Sequence, residues 1–253
     1  MGELAGRKAL VTGAGIGIGQ GIARELARQG ADVVLHFAAS KIGADDVVAE
    51  ILQAGGKATA VGGDLRLPTE CARVVDQAAQ WLRGLDILIN NAGVTRAQPF
   101  EETTEALYNE MFDLNMKGYF FCAQRAIEYM GEGSSIVNIT SVHGRGGFPN
   151  HAAYAGTKGA VIAFTRSLAI ELAPRRIRVN AIGPGVVEVP RYADMPGYTT
   201  EHGNSVVPLG RVGSPADIAA AATFLASSAA GWITGDTLMV DGGTTARMGL
   251  LWG

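Results

Sequence analysis

The chain has 253 residues, of which 47% are hydrophobic and 35 are glycine, with a formal net charge of −3. That length accommodates one large domain or two small ones, and the apolar content lies far from the range of disordered chains. The 21 basic residues are scattered rather than gathered in a tract that could neutralise a phosphate backbone, so nucleic acid is not an expected partner.

Short apolar runs rich in β-branched residues alternate with longer amphipathic segments along the whole chain. Runs at 8–12, 32–37, 58–63, 86–90, 135–140, 177–182 and 237–241 read as strands. Several have few polar interruptions, as strands covered on both faces should. The segments 21–29, 44–53, 69–82, 106–129, 154–172 and 215–226 have helical period, the last opened by Ser214 as N-cap and Pro215 at the first helical position. Strict alternation of strand and helix predicts a parallel sheet with helices on both faces. Neither a repeat nor a low-complexity linker interrupts it, so residues 1–253 are expected to form one domain. The longest irregular stretch, 183–207, has the length of a substrate lid or binding loop.

Cys71 and Cys122 lie far apart and suggest no disulfide framework, which points to a reducing compartment. The opening MGELAGRKALVTG enters an apolar strand at once and leaves no room for a secretory leader, and Gly6 stands where myristoylation requires Ser or Thr. No apolar run is long enough to span a bilayer, so a cytoplasmic protein without a membrane partner is expected.

The segment VTGAGIGIGQGIA joins the first strand to the first helix, where a dinucleotide diphosphate would rest on helix N–H groups. It departs from G-x-G-x-x-G and fits G-x-x-x-G-x-G through Gly13, Gly17 and Gly19. A glycine-rich packing turn would also explain it, but its place between strand and helix favours a phosphate cradle. Further along, Tyr154 and Lys158 stand four residues apart at the start of a helix, with Ser141 at the carboxyl end of the fifth strand. A free phenol, with pKa about 10, is only about 0.1% ionised at pH 7. An ammonium one turn away and the positive end of the helix both favour the phenolate.

These residues together resemble the classical short-chain dehydrogenase/reductase family. Thr12 and the Gly13, Gly17 and Gly19 pattern match its cofactor motif, and NNAG at 90–93 follows the fourth strand. Asn115 lies in FDLNMKG, Ser141, Tyr154 and Lys158 form the S…Y-x-x-x-K set, and Pro184-Gly185 follows the sixth strand. The match runs over roughly residues 5 to 243. It implies a Rossmann-type doubly wound sheet of seven parallel strands, and hydride transfer between a nicotinamide cofactor and a small-molecule substrate. It places the cofactor against Gly13, Gly15, Gly17, Ile18, Gly19, Phe37, Ser40, Asp64 and Leu65, then Asn91, Ala92, Gly93, Tyr154, Lys158, Pro184, Gly185 and Val187. Tyr154 is then the acid–base group and Ser141 the donor that holds the substrate oxygen. Lys158 serves both the phenol and the nicotinamide ribose. Asn115 would hold a relay water, unless its amide instead satisfies backbone groups in a distorted helix. The small-residue face of Ala155, Gly159 and Ala163 implies a homotetramer contact, or else burial within the monomer.

His143 and His151 flank the site in sequence and are candidate substrate contacts, or else exposed loop histidines. The four histidines form no H-E-x-x-H or Cys/His cluster, so a metal is not expected. Tyr119, Phe120 and Phe121 are expected as core or subunit contacts. At the end of the second strand Phe37 stands where NAD-selective relatives carry an acid, Ala38 where NADP-preferring ones carry arginine, and Ile16 where many of those carry a base. Ser40 and Lys41 remain within reach of a 2′-phosphate, so both NADP and NAD are expected to serve, with a modest lean to NADP.

For the substrate, SVHG at 141–144, RVNAIGPG and the tail TTARMGLLWG resemble bacterial glucose-type 1-dehydrogenases. His143, Arg145, Asn150, His151 and Arg191 could bond a polyhydroxylated ring, which points to oxidation of an aldose at C1 or of a related polyol. A 3-oxoacyl-carrier-protein reductase or other small carbonyl reductase shares the same chemistry. PGVVEVPRYADM lacks the T-D-M common in the carrier-protein enzymes, while Arg145, Arg191 and Arg211 would suit an acidic carrier. A non-catalytic nucleotide sensor would have no need of the intact Ser–Tyr–Lys set.

Overall fold

In the computed structural model, residues 2–192 and 197–247 are described, the side chain of Arg191 excepted. Strands and helices alternate as β1 (Lys8–Val11), α1 (Gly17–Arg28), β2 (Asp32–Phe37), α2 (Lys41–Gln53), β3 (Ala58–Gly62), α3 (Pro68–Leu82) and β4 (Ile87–Asn90). Then come α4 (Glu105–Phe112), α5 (Gly118–Ala126), β5 (Ser135–Ile139), α6 (Ala152–Leu172), β6 (Arg178–Pro184), α7 (Thr200–Val206), α8 (Pro215–Ala226) and β7 (Thr237–Val240). The strands form one seven-stranded sheet in the order β3-β2-β1-β4-β5-β6-β7, and every pairing is parallel. The winding reverses between β1 and β4. A crevice outside the carboxyl ends of the strands at that point is where ligands bind in sheets of this type.

The period of two along a strand divides the apolar residues between two cores. Leu10, Leu88 and Ile136 sit in register across β1, β4 and β5 and belong to the core beneath α3, α5 and α6. Their successors Val11, Ile89 and Val137 face the opposite core, beneath α1 and α8. A buried polar thread crosses the sheet: Asn90 donates to Asn138 Oδ1 at 3.0 Å, and Asn138 donates to Thr165 Oγ1 at 3.0 Å. Helices α1 and α8 approach so closely that a Cβ on Gly21 would lie 2.7 Å from the Pro215 ring.

Two segments differ from the pattern the sequence suggests. Residues 106–129 do not form one helix. Between α4 and α5 the chain makes a five-residue π turn, Asp113–Lys117, which widens the ladder and carries Asn115 inward. The stretch 183–207 is not irregular throughout: β6 continues to Pro184, a single turn occupies Pro190–Tyr192, and α7 is capped by Thr199, whose hydroxyl accepts from His202 N–H at 3.1 Å. Residues 193–196, and 248–253 of the tail, lie outside the described residues. Among the described residues no helix is long and apolar enough to cross a membrane.

Candidate active site

The glycine loop sits at the carboxyl end of β1, fixed from three sides. Thr12 Oγ1 donates to Ile89 O at 3.2 Å and accepts from Asn91 N and Ala92 N at 2.9 and 3.0 Å, tying β1 to the exit of β4. The Asn91 amide donates to Thr12 O at 2.9 Å and Gly13 O at 3.1 Å. Gly13 has φ 63°, and a Cβ there would lie 2.7 Å from Ala92 Cα; one on Gly19 would lie 2.3 Å from Gly13 O. Any side chain at either position would break this turn. Helix α1 opens without a side-chain cap and without an acid in its first turn. Its first N–H groups therefore have no side-chain acceptor, and they face the switch point as donors for an anion. A dinucleotide diphosphate fits that donor set.

The other cofactor residues divide by what they can offer. Leu65, Ala92 and Val187 are buried among apolar neighbours, so only their backbone can meet a ligand, and Val187 is bridged to Gly213. Phe37 is half-buried at the end of β2 with the Lys41 ammonium 6.0 Å from its ring centroid. Lys41 is also paired with Asp45. Ser40 stands at the N-cap of α2 with its hydroxyl making no cap bond. Asp64 holds Arg66, whose guanidinium keeps that carboxyl below the usual range.

On the far side of the crevice, Tyr154 lies in the first turn of α6 and Lys158 one turn later. Lys158 is only 4% exposed. Its ammonium donates to Ile139 O at 2.9 Å and lies 5.7 Å from the Tyr154 ring centroid. The buried Tyr119 ring also lies 5.4 Å from the ammonium, and its hydroxyl donates to the same Ile139 carbonyl at 3.1 Å. Burial pushes the Tyr119 phenol well above its ordinary value, so it stays neutral. A core aromatic thus backs the catalytic-type lysine, a role that the run Tyr119, Phe120, Phe121 does not announce.

Asn115 lies close by: a Cβ on Gly93 would be 3.2 Å from its Oδ1 and 3.7 Å from Lys158 Nζ. Its side chain is engaged at both ends of the amide. Oδ1 accepts from Val94 N at 2.8 Å, and Nδ2 donates to Val94 O at 2.8 Å and Thr157 Oγ1 at 3.1 Å. The amide, carried on the π turn, thus ties the backbone of Val94 in the loop after β4.

Ser141, 8% exposed, stands two residues past the end of β5. Its hydroxyl accepts from His143 N at 3.2 Å and lies 3.3 Å from His143 Nδ1. The His143 ring lies edge-on to Tyr154 at 5.4 Å, stacks on His151 at 4.9 Å and meets Phe148 at 5.9 Å. Burial, then the neighbouring His151 and Lys158, hold the His143 pKa below its ordinary 6.5, so the ring is neutral at pH 7. His151 Nδ1 pairs with Pro149 O at 2.7 Å. Ser141, His143, His151 and Tyr154 are thus brought together, the two imidazoles stacked on each other with Phe148 and Tyr154 edge-on to them. Arg145 reaches away to Thr237 O, and Arg211 pairs with Asp217 at 2.7 Å.

His36, inside the second strand, is a residue to which the sequence assigns no role. It is 1% exposed on β2 and bonds both the glycine loop and the exit of β3. Burial lowers its pKa from 6.5 to about 4, helped by Arg73 and opposed by the bond to Gly63. Unfolded, the ring takes a proton below about 6.5; folded, it does so only below about 4. Its contribution to stability is complete above the unfolded value and is lost as pH falls through that window, by ~2 kcal/mol at about pH 5. Urea unfolding at neutral and mildly acid pH should show His36→Asn losing less stability than wild type over the same interval.

Comparison with known proteins agrees with this architecture. A family model described as enoyl-(acyl carrier protein) reductase matches residues 13–245. The chain is 46% identical over 246 residues to an uncharacterized oxidoreductase of Methylorubrum extorquens, covering 96% of this chain and 99% of that one. It is 41% identical over 256 residues to a hydroxynaphthalene reductase-like protein of Metarhizium majus, covering 96% of each. Among solved structures, a short chain dehydrogenase from Burkholderia cenocepacia in complex with NADP superposes with a TM-score of 0.91 at 34% identity, over 96% of this chain and 99% of that one. These likenesses do not single out the glucose-type dehydrogenases suggested by the loop at 141–144. The chain belongs to the short-chain dehydrogenase/reductase family, as an NAD(P)-dependent oxidoreductase of alcohols and carbonyls.

Proposed function

We propose that the chain interconverts a ring ketone and its alcohol with NADP(H), reduction being the favoured direction. The observation that carries this reading is the aromatic cluster of Phe148, His143 and His151 beside Tyr154, with centroids 4.9–5.9 Å apart. Aromatic edges and faces suit a flat ring substrate, which can pack edge-on or offset against them. The hydroxynaphthalene reductase-like relative supports the same class of substrate.

Bound in the crevice, the cofactor supplies or accepts the hydride. The chain manages the proton. In reduction Tyr154 gives its phenolic proton to the substrate oxygen as negative charge develops there. Ser141, whose oxygen already accepts from His143 N–H, has its own proton to donate to that oxygen. The Lys158 ammonium stabilises the phenolate left behind, in surroundings dry enough to strengthen that attraction. Because the Asn115 side chain is committed to Val94 and Thr157, a relay water would rest on a backbone carbonyl of the π turn.

A polyol or aldose is the second reading, favoured by the imidazoles of His143 and His151, which can bond sugar hydroxyls. The carrier-protein reading is weaker, since Arg211 and Arg145 are engaged with Asp217 and Thr237. Assembly as a homotetramer through α6 is also part of the proposal. Ala163 is exposed there, and Ala155 and Gly159 are half-buried. To separate the substrates, the enzyme is incubated with NADPH and cyclic or naphthol-type ketones, with NADPH and an acetoacetyl thioester, and with NADP and aldoses. Sugar-dependent NADPH formation without ketone reduction would replace this reading by the sugar one.

Cofactor choice follows from Phe37. No carboxylate at the end of β2 repels a 2′-phosphate, and Ser40 and Lys41 stand beside it. Both cofactors should work, NADP somewhat better. Comparing kcat/KM for the two checks this, and a preference for NAD above about a hundredfold, worth ~2.7 kcal/mol, contradicts it.

A further inference from the structure

His36 takes no part in the proton chemistry at Tyr154, yet its ring spans two segments of the crevice. Nδ1 accepts a hydrogen bond from Gly13 N–H at 3.1 Å, while Nε2 lies 3.1 Å from Gly63 O. One ring nitrogen faces an N–H and the other a carbonyl, so a single form satisfies both: the neutral imidazole protonated on Nε2. The backbone adds a third tie, Ala14 N–H donating to His36 O at 2.7 Å. Gly13 opens the glycine loop, and Gly63 precedes Asp64 and Leu65 at the exit of β3. Both segments are assigned to the cofactor in the reading above, and β2 runs between the strands that carry them.

We propose that His36 is a positioning residue that presets the cofactor cradle, holding the glycine loop and the β3 exit at a fixed separation. The inference rests on the proposed cofactor site. Gly13 has left-handed φ, a conformation with little intrinsic preference to persist. The His36 ring fixes its N–H and the Asn91 amide fixes its carbonyl, so both polar groups of the residue are tied. A loop ordered before the ligand arrives loses less conformational freedom on binding. The charged groups around the ring come from the β3 exit and α3: Asp64, Glu70 and Arg73. Arg73 is itself held by Glu70 and by Gly62 O at 2.7 Å, next to the carbonyl that His36 grips. The ring is therefore a strut between two anchored segments rather than an incidental core residue.

Substitutions of different reach test this. Asn at 36 can still accept from Gly13 N–H but cannot reach Gly63; Gln can reach Gly63 but moves its amide away from Gly13; Leu does neither. NADPH binding is followed by nicotinamide fluorescence, with thermal melts and amide exchange at Gly13 and Ala14 alongside. His36→Leu should weaken NADPH binding tenfold or more, about one hydrogen bond's worth, and speed exchange at Gly13. His36→Asn, which keeps the Gly13 bond and loses the Gly63 one, should weaken binding measurably but less than His36→Leu, and the kinetic loss in His36→Leu should fall on the cofactor KM rather than on kcat. Where His36→Leu does not fold, His36→Gln takes its place, with weakened binding expected. Affinity within threefold of wild type in the folded Leu or Gln variant overturns the strut, as does an Asn variant no better than either. Failure of the wild type to bind NADPH or NADH overturns the cofactor reading itself, and the strut with it.

Discussion

Tyr154→Phe should lower turnover by about 10²–10⁴, the usual range for loss of a general acid–base group, while cofactor affinity and melting temperature stay close to wild type. The substitution removes only the hydroxyl. The ring keeps its edge contacts with His143 and His151, and Lys158 keeps its bond to Ile139 O. A steady-state assay with parallel cofactor titration checks this. Turnover above about a tenth of wild type would mean that another group carries the proton.

Lys158→Ala should be at least as damaging and should fail differently. The ammonium is buried, pairs with a backbone carbonyl and lies over two phenol rings, so its loss reaches beyond the proton step. Turnover should fall by 10² or more and cofactor binding should weaken as well. The pH dependence distinguishes this from general damage. Oxidation of the alcohol needs the phenolate, and without the ammonium the phenol returns toward its unperturbed pKa of about 10. Oxidation by Lys158→Ala should therefore recover as pH rises toward that value, whereas the wild-type rate levels off earlier. A variant rate that is low and flat with pH would deny Lys158 any part in the ionisation of Tyr154. The fold should survive, because Tyr119 still donates to the Ile139 carbonyl that Lys158 leaves.

What the sequence discloses follows the range of each interaction. Strands buried on both faces read as unbroken apolar runs, and β2 spans the run at 32–37 with both ends matched. The glycine loop is legible because its constraint is local: a tight turn into a helix start. Asn115 is different. Its π turn is held open by Val94, 21 residues away, and nothing in the helical period of 106–129 registers that partner. Likewise Tyr119 reads as a core aromatic, since its relation to Lys158 exists only where α5, β5 and α6 meet. His36 reads as part of a strand, because its two partners lie on other strands' exits. The substrate is least legible: SVHG, RVNAIGPG and the tail resemble sugar enzymes, but the packing of His143 against His151, Phe148 and Tyr154 exists only in the folded chain.

The central claim is that Tyr154 moves the proton while hydride passes between NADP(H) and a ring carbonyl in this crevice. The most direct test is a single turnover with NADPH deuterated at the transferring position and a cyclic or naphthol-type ketone, analysed by mass spectrometry of the product alcohol. The account predicts one deuterium on the carbinol carbon with wild type, and with Tyr154→Phe bound cofactor but a label transfer slower by 10² or more. Equal transfer by the two proteins, or bound NADPH that passes no label to any ketone, would contradict it.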